Sequence, residues 1–79
     1  MKLNPIHIML LERVHEYNLL HGGLKPNIST ISDGDRVHRT RIESLIRNGY
    51  LDTERGDGGC RMLSVSSKAL PVLEQLGVL

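Results

Sequence analysis

Six of the seven arginines in this 79-residue chain fall between Arg36 and Arg61, whereas the acids are spread along its whole length. A guanidinium group is planar, permanently charged and carries five donors in a rigid fork. Arginines gathered in one stretch therefore point to an anionic partner, either phosphate oxygens or the acceptor edge of guanine. Arg36, Arg39 and Arg41 stand closest together, and Thr40 and Ser44 add hydroxyls that can donate to phosphate or touch a thymine methyl. Arg47, Arg55 and Arg61 complete the set as candidates for backbone contact. Glu43 lies four residues from both Arg39 and Arg47, a spacing at which helical side chains pair. The net charge of +1 says little by itself, and the inference rests on where the charge sits.

Other chemistry finds little support. His7, His15, His21 and His38 are dispersed, and the two that share a helix, His7 and His15, have Leu11 rather than a ligand between them. No zinc site is expected from that spacing. The single cysteine, Cys60, excludes an internal disulfide and suits a reducing compartment. It is expected to be a small, half-buried strand residue rather than a redox sensor. Gly56-Asp57-Gly58-Gly59 lacks the Gly-Lys-Ser/Thr continuation and the following helix of a phosphate-binding loop. Paired carboxylates and a nucleophile–His–Asp set are missing too, so neither an enzyme nor a cofactor is expected. No apolar run approaches the ~18 residues of a membrane span and no signal peptide is recognisable, which implies a cytoplasmic protein.

The elements that must position the arginines follow from punctuation and periodicity. Asn4-Pro5 opens a helix that runs to about residue 20, with Ile6, Leu10, Val14 and Tyr17 as its stripe and Leu11 and Leu20 beside it. His21-Gly22-Gly23 stops it. Residues 28–32, preceded by a possible cap at Asn27, fit a one-turn helix better than a short strand. Asp33-Gly34-Asp35 is a turn, and Asp35 can cap a third helix over 36–48 that ends at Asn48-Gly49. In that helix Ile42, Leu45 and Ile46, with His38, form the inner side. Arg36, Thr40, Glu43, Ser44 and Arg47 form the outer side, with Arg39 and Arg41 at the flanks and Val37 packed on the preceding turn. Residues 50–65 read as a hairpin around a loop with three glycines, all free to take positive φ. A closing helix runs from Ser66 to about Leu76, carrying Leu70, Leu73 and Leu76, although Pro71 moves its start towards Ala69.

Ile42-Glu43-Ser44-Leu45-Ile46-Arg47-Asn48-Gly49-Tyr50-Leu51 resembles the end of the recognition helix in winged-helix transcriptional regulators of the MarR and related groups. Leu63-Ser64-Val65-Ser66-Ser67-Lys68-Ala69 resembles the strand that closes the wing and leads into a Ser- or Thr-capped helix, with Ala69 where those proteins usually carry Gly. The resemblance covers about residues 26–76. It implies an α+β fold, a winged helix-turn-helix of three helices with a two-stranded β-hairpin wing and a C-terminal helix. It also implies that helix 36–48 lies in the major groove and that the wing touches the backbone or minor groove.

The sequence thus reads as one domain over 1–79, a small sequence-specific protein for double-stranded DNA that regulates transcription. Ile8 and Leu19 fall opposite the first helix's stripe. With Leu73 and Leu76 of the segment Leu70 to Leu79, they form the expected surface of a homodimer on a two-fold operator. The alternative is a winged-helix adaptor or inhibitor from a phage or mobile element that binds a host protein. RNA is a weaker option, because stacking aromatics are scarce.

Overall fold

Asn4 begins the first helix by reciprocal capping. Its side chain accepts from the His7 N–H at 2.9 Å, and its own N–H donates to His7 Nδ1 at 3.1 Å. With Pro5 at the first position, this fixes α1 over Pro5–Leu20. The computed structural model describes residues 2–77, apart from the side chain of Asp57. Met1, Val78 and Leu79, including the last two residues of the expected dimer segment, lie outside the described residues.

Asn27 caps α2 (Ile28–Ser32) by accepting from Thr30 N–H, so this segment is a helix, as the spacing favours. Asp33 and Gly34 then take positive φ, and Asp35 caps α3 (Arg36–Arg47) by accepting from the N–H groups of Val37 and His38. The left-handed turn sets α2 against α3, which gives the helix-turn-helix. At the far end Gly49, at φ 82°, lets Tyr50 N–H return to Leu45 O at 2.9 Å and turns the chain into the hairpin.

β1 (Leu51–Arg55) and β2 (Arg61–Val65) pair antiparallel, with Leu51 opposite Val65 and Arg55 opposite Arg61. A short 3-10 turn over Asp57–Gly59 connects them. Gly58 and Gly59 take positive φ but Gly56 does not, so two of the three loop glycines use their freedom. The linker before α2 adds a fragment of a third strand: Leu63 N–H donates to the carbonyl of buried Pro26 at 2.7 Å, and Asn27 bridges Met62. α4 (Leu70–Gln75) is shorter than expected. Ala69 occupies its N-cap with no side-chain hydrogen bond, so the Ser-capped start does not form. Ser66 instead spends its hydroxyl on Gly49 O, across the hairpin from the helix it was expected to cap.

One cluster holds these pieces together: Leu10, Leu11 and Val14 from α1, Ile28 and Ile31 from α2, and Ile42 and Leu45 from α3. Leu51, Leu63, Ala69 and Leu73 close it from the hairpin and the C-terminal end. The architecture is α+β, with three helices, a two-stranded hairpin and a short C-terminal helix in a winged-helix-like arrangement. No helix among the described residues is long and apolar enough to cross a membrane.

Leu73, Leu20, Val37 and Cys60 also differ from expectation. Leu73 is fully buried and is a core residue, so it offers nothing to a second copy. Leu20 is 80% exposed because α1's inner stripe ends at Tyr17, where the helix runs past the core. Val37 is 53% exposed, since Asp35 rather than an apolar contact secures the start of α3. Cys60 is exposed in the loop just before β2 rather than half-buried within it.

Candidate nucleic-acid interface

The outer face of α3 is set by which of its residues the core claims. Ile42 and Leu45 are buried, Ile46 packs at the edge of the core, and Arg36, Arg39, Thr40 and Arg47 are left exposed. Ser44 and Glu43 are half-buried beside them. Thr40 donates its hydroxyl to Arg36 O at 3.0 Å, so towards a ligand it offers its oxygen as an acceptor and its methyl group.

Arg36 and Arg39 share a hollow of about 250 Å³ with Ser29 and Ser32 of α2 and with Gly34 and Asp35 of the turn. Arg39 also lines a second hollow, of about 200 Å³, with Ser29, Cys60 and Arg61 on the wing side. Arg39 therefore stands where α2, α3 and the wing converge. Arg55 and Arg61 oppose one another in the hairpin register and so project to one face, the same face that further along carries Leu51 and Leu63 into the core with Val65 packed at its edge.

Arg41 does not join this group. Two residues beyond Arg39, it lies about 160° away around the helix. It is half-buried, and its charge acts on His7 of α1. His7 itself is buried, Nδ1 accepts from Asn4, and Nε2 has no hydrogen-bond partner. Burial first, and then the nearby Arg41 guanidinium, hold its pKa below the usual histidine value. His7 stands three, four and seven residues before Leu10, Leu11 and Val14, so helical spacing already puts it on the buried side of α1, whereas its part in the cap shows only in the folded geometry.

Glu43 pairs with neither Arg39 nor Arg47. Its Oε1 accepts from Arg61 Nη2, tying α3 to the start of β2. Helical spacing alone favours the intrahelical partners, and only the placing of the hairpin brings Arg61 closer. No carboxylate forms an ion pair with Arg36, Arg39, Arg47 or Arg55 among the described residues. His38 is half-buried with Nδ1 unpartnered, and its Nε2 lies 4.0 Å from Asp35, so it is less fully satisfied than a core histidine should be.

Of the residues expected to face a second copy, Leu19 is 68% exposed, Leu76 is exposed and Ile8 is half-buried. Leu19 adjoins exposed Leu20, and Asn18 Nδ2 donates to Leu24 O, which folds a third exposed leucine back towards the end of α1. The chain matches no protein-family model, no curated protein and no solved structure.

Proposed function

We propose that this protein binds double-stranded DNA, with α3 in the major groove and the hairpin wing against the backbone or minor groove, and that it acts as a small regulator of transcription. One observation carries the reading. The second helix of a helix-turn-helix turns Arg36, Arg39, Thr40 and Arg47 outward, with no acid paired to its arginines among the described residues. Exposed guanidinium groups on a helix able to enter a groove can position the domain on phosphates and reach guanine edges. Arg55 adds a cation at the wing. The role is one of binding rather than catalysis.

Titrating a random-sequence duplex at rising salt tests this. With Arg36, Arg39, Arg47 and Arg55 on phosphates, log affinity should fall against log salt with a slope of about −3 to −4. Replacing Arg36, Arg39 and Arg47 by alanine should reduce that slope to about −1 and weaken binding at low salt. Arg41→Ala should leave the slope nearly unchanged, because Arg41 is half-buried and about 160° around α3 from Arg39. A wild-type affinity indifferent to salt, or unaffected by the triple substitution, rejects the reading.

The exposed Leu19, Leu20 and Leu24 favour, in addition, a protein partner at the end of α1. In our reading that partner is a second copy, which would let two α3 helices meet successive turns of a two-fold site. Occupation of this patch by a different protein is the rival reading.

A further inference from the structure

The wing and α3 are joined by an ion pair at the centre of the proposed interface. Glu43 is the only acid in α3, and it lies on the outer face, within about 40° of Arg36, Arg39 and Arg47 around the helix. Arg61, the first residue of β2, donates to one of its carboxylate oxygens. The other oxygen has no hydrogen bond from the protein among the described residues. Directly across the hairpin from Arg61 is Arg55. Like charges so placed repel, and Glu43 offsets that repulsion while holding the wing against the helix. Both partners keep more than a third of their side chains exposed, so the pair adds little to folding stability. Its effect lies in what it presents to a ligand.

A carboxylate carried towards DNA is repelled by phosphates unless a donor meets it. The major groove offers such a donor at the exocyclic amino groups, and glutamate is suited to the N4 amino group of cytosine. Arg61, meanwhile, has its charge cancelled and contributes less to backbone attraction. We propose that Glu43 is a specificity-determining residue. Held by Arg61, it lowers affinity for arbitrary duplex and rewards a site that places a cytosine amino group opposite its free oxygen. This inference rests on the DNA-binding reading above.

The test is a double-mutant cycle with wild type, Glu43→Gln, Arg61→Ala and the double variant. Each is titrated against a random-sequence duplex and against the best site selected by the wild type from random DNA, with thermal melts confirming that every variant folds. Glu43→Gln should bind the random duplex several-fold more tightly, with a salt slope steeper by about 0.9 as Arg61 is released to a phosphate. It should also lose a cytosine preference of about tenfold or more at one position of the selected site. Arg61→Ala should weaken binding to both duplexes by leaving the carboxylate uncompensated, and adding Glu43→Gln should restore most of that loss on the random duplex.

If Arg61→Ala and the double variant are equally weak, Arg61 is an ordinary phosphate ligand and the inference is overturned. An unchanged Glu43→Gln variant overturns it as well, while leaving α3 as the DNA-binding helix. Failure of the wild type to bind any duplex removes both conclusions together.

Discussion

Neutral His7 completes the cap of α1 only while Nδ1 is free to accept from the Asn4 N–H. Protonation would turn that acceptor into a donor, at a helix N-terminus where positive charge is already unfavourable. Because burial and Arg41 depress its pKa in the folded state, the unfolded chain binds the proton more readily. The stability this contributes is complete above the unfolded histidine value of about 6.5 and is lost as pH falls through the lower folded value. The urea midpoint should therefore drop between about pH 7 and 5. His7→Gln retains a side-chain acceptor for the cap and does not titrate, so it should flatten part of that slope. Comparing the two proteins separates His7 from the other three histidines, and identical slopes would reject its role.

Among the elements, α3 depends most on one side chain. Asp35 accepts from two N–H groups of its first turn, the turn that carries Arg36 and Arg39. These backbone bonds, that to His38 foremost, hold the Asp35 carboxyl below its usual pKa. Asp35→Ala should lower the denaturant unfolding midpoint by removing the acceptor of two first-turn N–H groups. It should also weaken DNA binding by loosening the first turn, and an unchanged midpoint would show that the cap is dispensable. Both caps of the helix-turn-helix, Asn27 and Asp35, are plain in the sequence because each is a short polar residue just ahead of an apolar periodic run. The third-strand fragment at Pro26 and Asn27 is not. A carbonyl accepting from the far strand leaves no pattern in two residues, and proline does not suggest a strand.

At the scale of the whole molecule, the buried cluster uses one side of α1 and leaves leucines at its end in solvent. Leu19, Leu20 and Leu24 would form the centre of the proposed self-association surface, but a stable dimer buries about 1,200 Å² or more, so the rim around them would also have to contribute. Sedimentation should show a dimer at micromolar concentration. Leu19→Glu combined with Leu20→Glu should convert it to a folded monomer, with affinity for a two-fold site reduced by about tenfold or more. A wild type that stays monomeric at high concentration would remove the two-fold operator and assign the patch to another protein.

Local chemistry was enough to specify the first three helices and the hairpin, though not the extent of α4 or the strand fragment at Pro26 and Asn27. Capping residues, glycine stops and apolar spacing follow from backbone hydrogen bonding and helical period, and these act within a few residues. The arginine-bearing outer face of α3 is legible for the same reason: once Ile42 and Leu45 are inside, Arg36, Thr40 and Arg47 must be outside. Tertiary packing alone decided that Arg41 lies half-buried near His7 of α1 and that Glu43 belongs to Arg61. It also decided that Leu73 fills the core rather than a dimer surface. Each of those outcomes turns on the distance between elements far apart in the chain, which no periodicity along one helix encodes.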